Sequence, residues 1–305
     1  MKKSILLLMA LAGAMVWTGC QRIEEEQIEA KPEEKANTYT VIIRAERNDR
    51  PATKGLDIVG DEATTTQLKS IWKDGEEVKV YLDNSCIGTL TATPDGLDAH
   101  KATLSGDITT TGIVANTTTL TLLTPRESWD YTGQAGMLLL SDDASNSIEK
   151  KYHYTMAADV LVTDVVGNSI TTENATFTNQ QSIYRLSFLY TVGSTPVNAK
   201  SLIISGAGHE LVQSQVPGGA TTKGDIDVTL GTATTDPFFV AIRNGDLTEE
   251  VFTFTVIDNN GVTFRGTRTI PAAAKGNGGF ISAKNITLNQ RLDLVLSATE
   301  VDSVL

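Results

Sequence analysis

The chain has little from which to build a metal centre, a disulfide framework or a helical bundle. Only two of its 305 residues are cysteine, Cys20 and Cys86, which excludes a framework of bridges within one chain. Three histidines, His100, His153 and His209, stand far apart with no metal-ligand spacing, and no cofactor is implied. Basic side chains are scarce relative to acidic ones: 25 Lys and Arg against 37 Asp and Glu, a formal charge of −12. That balance repels phosphate backbones and argues against nucleic acid as a partner. Aromatic residues make up 6% and charged residues 20%, and no apolar segment of helical period exceeds about two turns. What is abundant is threonine, at 42 residues. β-Branched side chains fit a pleated surface and lose rotamer freedom in a helix, so the composition points to an all-β protein.

The N-terminus reads as an address. Lys2 and Lys3 precede an apolar stretch from Ile5 to Val16, too short to span a bilayer and typical of a signal peptide. It ends Trp17-Thr18-Gly19-Cys20, which resembles the bacterial lipobox and implies diacylglycerol on the Cys20 sulfur with cleavage before it. Several acyl chains hold a protein to a membrane far more firmly than one, each buried methylene contributing roughly 0.8 kcal/mol. Residues 20–37 then form a Glu-, Lys- and Ala-rich tether too poor in apolar residues to order itself. Its Glu24-Glu25-Glu26 run resembles the surface-export signal of Bacteroidia lipoproteins, and a generic acidic linker reads the same way.

From Thr38 onward the pattern is short strands and turns. Tyr39, Val41 and Ile43 alternate with Thr40, Ile42 and Arg44; Val78 and Val80 alternate with Glu77 and Lys79. Further strands are expected at 86–93, 100–106, 117–124, 136–141 and 152–164. A Thr-, Glu- and Asn-rich stretch from Asn168 to Gln181 separates these from a second group at 184–190, 198–205, 225–231, 237–244, 279–288 and 291–297. Phe252, Phe254 and Val256, then Asp258-Asn259-Asn260-Gly261, then Val262 and Phe264, make the clearest hairpin. Short strands with one apolar face must bury it against another sheet, so two successive β-sandwiches are expected, at 38–177 and 178–305.

No constellation for catalysis is legible. Ser205, His209 and Glu210 lack the elbow that a nucleophilic serine needs, and Gly276-Asn277-Gly278-Gly279 lacks the Lys-Ser/Thr of a phosphate loop. Asp258-Asn259-Asn260-Gly261 lacks the remaining ligands of a calcium loop. Glu76-Glu77, Asp142-Asp143 and Glu249-Glu250 read as solvated charge at turns. Trp72 reads as core, Trp129 as a surface on which a sugar could stack, and Cys86 as a small buried hydrophobe.

The lipobox, the early strand followed by Ala52-Thr53-Lys54, and Ile71-Trp72-Lys73-Asp74-Gly75-Glu76-Glu77-Val78-Lys79-Val80-Tyr81 together resemble the fimbrillin family, the type V pilins of Bacteroidia. Tyr184 to Tyr190 and Gly261 to Leu288 also look like it. The resemblance implies two tandem transthyretin-like, Greek-key sandwiches, export as an outer-membrane lipoprotein to the cell surface, and a structural role in adhesive fimbriae. It implies polymerisation with other fimbrial subunits by strand exchange after a trypsin-like protease removes the first strand. Arg44, Arg47 and Lys54 are the candidate cleavage residues, because Arg50 precedes Pro51. Leu292, Leu294 and Leu296 form an apolar row that either fills a neighbour's vacated groove or completes its own sandwich. The other reading is an uncleaved surface lipoprotein, a tip or anchor subunit or a binder of surface glycans or proteins.

If Cys20 carries the lipid, Cys20→Ser leaves an unprocessed, mislocalised precursor, since serine keeps the size and loses the thiol. Metabolic fatty-acid labelling and membrane fractionation check this; normal labelling of the mutant would contradict it.

Overall fold

Alternating apolar and polar residues extend the backbone, and the computed structural model turns nearly every such stretch into a strand. It describes residues 35–47, 57–58, 68–124, 128–136, 147–206, 208, 210–216, 219–243, 251–269 and 280–290. The first strands are β1 (Asn37–Arg47), β2 (Asp57–Ile58), β3 (Leu68–Lys69), β4 (Glu77–Leu82), β5 (Ser85–Pro94), β6 (Lys101–Thr110), β7 (Thr119–Thr124) and β8 (Trp129–Asp130). A five-residue helix α1 (Ile148–Tyr152) precedes β9 (Thr155–Val166), β10 (Ser169–Thr172) and β11 (Ala175–Asn179). Then come β12 (Gln181–Tyr190), β13 (Thr195–Pro196), β14 (Ala199–Gly206), β15 (Leu211–Gln215), β16 (Thr221–Gly224), β17 (Ile226–Thr234), β18 (Phe238–Arg243), β19 (Val251–Asp258), β20 (Thr263–Thr269) and β21 (Phe280–Gln290). The protein is all-β, with several sheets. Ala36–Leu305 cluster together as one unit, apart from Met1–Lys35.

The first sheet closes on itself. Its order is β10-β1-β11-β9-β7-β4-β5-β6, and β6 returns to pair with β1. β1 is therefore held along both edges: antiparallel to β6, from Asn37 opposite Thr110 to Glu46 opposite Lys101, and parallel to β10 and β11 on the other side. Its period-2 pattern puts Tyr39, Val41, Ile43 and Ala45 inside, at 7% exposure or less. There they meet Trp72, Val80, Leu90, Leu104, Ile108 and Phe177 in one apolar cluster. The Asn168–Gln181 stretch is not the separator expected: it holds β10 and β11, with Ile170, Ala175 and Phe177 buried between exposed or half-buried threonines. Its alternations are too short to stand out locally, and parallel pairing with a strand over 120 residues earlier decides them.

The second sheet runs β13-β12-β21-β20-β19-β14-β17, with β18 also on β12. The β19–β20 hairpin forms as the sequence predicts: Phe252, Phe254 and Val256 are buried, Val256 lies opposite Phe264, and Gly261 has φ +81°. The Asp258 carboxylate accepts from the Asn260 and Val262 amides at 2.7 and 2.8 Å, so it is spent on the turn itself. A small sheet, β16-β15-β8, joins the two halves of the chain, Ser214 opposite Asp130 and Gln215 opposite Trp129. Trp129, Tyr131, Ile148, Tyr152 and Tyr154 pack into the same cluster as Leu186, Phe238 and Phe252. Of the expected strand at 136–141 only Gly136 is described, and it is not in a strand; residues 152–154 close helix α1 and its exit, and β9 starts at Thr155. The expected strand at 291–297 lies outside the described residues.

The crossing segment ends in two glycines that separate backbone need from packing need. Gly133 and Gly136 both have φ +57°. A Cβ on Gly133 meets nothing within 4 Å, whereas on Gly136 it would lie 2.6 Å from Leu230 Cδ2. Gly133→Ala is expected to cost about 1–2 kcal/mol for the left-handed backbone, and Gly136→Ala roughly 1–3 kcal/mol more from overpacking. Urea midpoints compare them; equal losses would mean that Leu230 yields freely.

Candidate functional site

The site grows from the far end of β1. The two-residue period that buries Tyr39, Val41, Ile43 and Ala45 also turns Arg47 inward, where it is 4% exposed. A charge there must be paired and hydrogen-bonded. The stretch from Ile71 to Glu76 before β4 supplies the partners: Arg47 donates through Nη1 to the Ile71 carbonyl and through Nη2 to Glu76, with which it forms an ion pair. The guanidinium lies 4.0 Å from the Trp72 ring centroid, a cation–π contact. Trp72 in turn meets Phe177 of β11 edge-on at 4.9 Å.

Glu76 is the centre of this arrangement. Its carboxylate also accepts from Thr124 Oγ1 at 2.7 Å and from the Lys73 amide at 3.3 Å. Burial alone would raise its pKa, but Arg47, the Thr124 hydroxyl, the charge at His153 and the Lys73 amide together hold it below the ordinary value. Lys73 pairs with Glu149 of α1. Just after α1, His153 Nε2 lies 3.1 Å from both Ser70 Oγ and Asn179 Oδ1. A cavity of about 150 Å³ opens among Lys73, Glu149, Lys150 and His153. Ser70, His153 and Asn179 are not a triad: both contacts fall on one ring nitrogen, so Asn179 does not orient the imidazole from its far side, and Ser70 is fully buried. The cluster ties five segments together at the point where β1 ends: β1 itself, the stretch from Ser70 to Glu76, β7, α1 with its exit, and β11.

Arg44 sits mid-strand on the exposed face of β1, its backbone paired opposite Thr103, and lines an open groove with Glu46, Asp95 and Lys101. Arg47 is buried as described. Cys20, Lys54, Leu292, Leu294, Leu296, His209, Asp142-Asp143 and Glu249-Glu250 lie outside the described residues. Three sequence readings are corrected. Glu76 is not a solvated charge, although its neighbour Glu77 is exposed and pairs with Lys79 at 3.1 Å. Trp129 is 2% exposed with the Arg243 guanidinium 4.8 Å above its ring, so no sugar can stack on it. Cys86 is exposed, because it lies beside the tight β4–β5 turn, past a register shift at Val80 and Tyr81. Trp72 is core, as expected. Ser70, His153 and Asn179 escaped the sequence reading; Arg47 could have pointed to them, since a charged residue on the inward parity of a strand requires buried partners.

His153 makes the cluster acid-sensitive. Burial, and then Arg47, push its pKa from 6.5 down to about 4, against the opposing pull of Glu76, Asn179 and Glu149. The unfolded chain thus binds a proton that the folded chain refuses, and stability falls as pH drops from about 6.5 to about 4, by roughly 3 kcal/mol. Glu76, held low, adds a loss of the same sign at lower pH. Chemical denaturation across this range should show the slope in the parent chain and a shallower one in His153→Gln; identical slopes would rule His153 out as its source.

No family model and no curated protein matches the chain. Among solved structures it is similar to a proposed cell adhesion protein from Bacteroides uniformis, at 14% identity and TM-score 0.41, over 81% of this chain and 93% of that one. It is similar to a fimbrial protein from Bacteroides ovatus, at 10% identity and TM-score 0.30, over 82% of this chain and 50% of that one. It is also similar to the shaft pilin spaA from Lactobacillus rhamnosus GG, at 8% identity and TM-score 0.32, over 83% and 98%. These structural neighbours are described as a cell adhesion protein, a fimbrial protein and a pilin, each at low identity.

Proposed function

We propose that the chain is a structural subunit of surface fimbriae, built as two tandem transthyretin-like sandwiches with a boundary near Thr178, exported as a lipoprotein through Cys20 and assembled by strand exchange. The observation that carries this reading is the place of β1. It lies between two hydrogen-bonded neighbours, and four of its side chains reach the floor of one apolar cluster. Its removal would leave a slot with unpaired backbone on both walls and an apolar base, which an extended segment from another subunit can satisfy. The row Leu292, Leu294 and Leu296 has the period to fill it, each leucine contributing roughly 1.5–3 kcal/mol if fully buried.

A second reading has its own support. Arg44 and Arg47 lie inside a paired strand, and Arg47 is latched to Glu76, so cleavage at either requires β1 to detach first. A chain that is never cut there would serve as an anchor or tip subunit, still lipidated at its N-terminus.

Mass spectrometry of the mature N-terminus separates the two: a lipidated Cys20 supports the anchor, and a start after Arg44, Arg47 or Lys54 supports the shaft. In the assembly assay, the chain cut by a basic-residue protease should form filaments visible by electron microscopy. The same chain lacking residues 291–305 should stay monomeric with an unchanged thermal melt. A cut full-length chain that stays monomeric would end the shaft reading.

A further inference from the structure

The cavity beside the Arg47 cluster borders polar atoms that the cluster does not use. Its volume is about 150 Å³, and Ile71, Lys73, Glu149 and His153 are among its walls. Glu149 is 9% exposed, and its Oε2 is buried with no hydrogen-bond partner, while Oε1 pairs with Lys73. A carboxylate oxygen shielded from water and left without a donor is costly, more so than a neutral acceptor. The last torsion of a glutamate is soft, so a small turn of the carboxylate brings Oε2 to a group inside the cavity.

His153 offers a second acceptor. Asn179 Oδ1 can only accept, so the hydrogen between it and His153 Nε2 belongs to the ring. Burial, and after it the charge of Arg47, holds that ring neutral at neutral pH. The lone pair is then on Nδ1, which meets no donor among the described residues. Lys73 has the opposite character: an ammonium carries three N–H groups, and Glu149 engages it from one side only. Its side chain is 36% exposed, at the mouth of the cavity. The buried charges here are matched in pairs, Arg47 with Glu76 and Lys73 with Glu149, so a charged guest would bring in an uncompensated charge.

We infer that this cavity is a binding site for a primary carboxamide, the group carried by free glutamine or asparagine and by their side chains in a polypeptide. The two N–H groups of the guest are donors for Glu149 Oε2 and His153 Nδ1, its carbonyl accepts from Lys73 Nζ, and Ile71 meets its aliphatic stem. A carboxylate lacks the donors, an ammonium lacks the acceptor, and a tertiary amide keeps the carbonyl but loses both N–H groups. A cavity of this size takes about four to six heavy atoms, which a carboxamide and its first carbons fill. The site is independent of any strand exchange at β1.

The test is an NMR titration of the purified full chain at neutral pH, with isotope-labelled histidine and acetamide as the probe. Acetamide should shift the His153 Nδ1 resonance saturably, with a dissociation constant on the order of 10 mM, as befits so few heavy atoms. N,N-dimethylacetamide and acetate should bind at least roughly tenfold more weakly, because each leaves the buried acceptors unmatched. Glu149→Gln should lose binding to a similar extent: its oxygen turns to Lys73 and its own NH₂ then faces that of the guest. If this variant does not fold, the ligand series on the parent chain decides alone. Free glutamine and an end-blocked peptide with one central Gln separate the sources, tighter binding of the first assigning a small molecule and of the second a polypeptide partner. No saturable His153 shift with acetamide well above the expected constant overturns the inference. Equal binding of N,N-dimethylacetamide, or binding unchanged in Glu149→Gln, does the same.

Discussion

The pairing of β1 on both of its edges is the contact from which the first sheet takes its form. A strand at an edge leaves a row of amides and carbonyls to water, but β1 is paired on both sides: β6 takes one over ten residue pairs, and β10 and β11 share the other at Thr40–Ile42 and Ala45–Arg47. The ring is closed by β1, the first strand among the described residues, and its inward side chains complete the apolar cluster beneath it. A closed sheet has no edge through which to aggregate. The same closure makes the first strand the piece whose loss would change most, because it would open two edges and a groove at once.

Such a strand needs its end secured, and the Arg47 cluster does this with polar groups rather than apolar ones. Arg47 arrives inside because strand parity leaves it no other direction. Its charge is then matched by Glu76, its face by Trp72, and one further donor by the Ile71 carbonyl, while Nε stays buried without a partner. Removing one member of such a set is costly because a buried charge is left alone. Burial, and after it the charge of Arg47, depress the pKa of His153 beside this cluster, so the anchorage of the strand weakens in acid.

The segment from Trp129 to Gly136 has a different task. It leaves the first group of strands, pairs with β15, and reaches Gln134, whose backbone bonds Asp227 and Thr229 of β17 and whose side-chain amide bonds Ala241 of β18. Arg243, at the end of β18, lies over Trp129 and donates to the carbonyl of Gln180 at 2.7 Å, where the chain passes from β11 to β12. Residues from both halves of the chain are therefore packed around the passage from one sheet to the other.

Much of this was legible locally. The all-β class follows from threonine content and alternation, because β-branching and a period of two act residue by residue on the backbone. The same period states which side chains of β1 point inward, Arg47 included, and the Asp-Asn-Asn-Gly turn follows from its tolerance of positive φ. What the tertiary structure alone decided is which distant groups meet. Glu76 reads as a solvated charge until Arg47 and Thr124 are placed beside it, Trp129 reads as exposed until Arg243 covers it, and β10 and β11 read as a linker until β1 pairs with them. Gln134 carries no local signal at all, since its amide takes the place of a peptide only where two strands diverge. The physical reason is one of range: strand parity is set by neighbouring residues, whereas ring closure and buried polar partners depend on segments tens to more than a hundred residues apart, which no local pattern encodes.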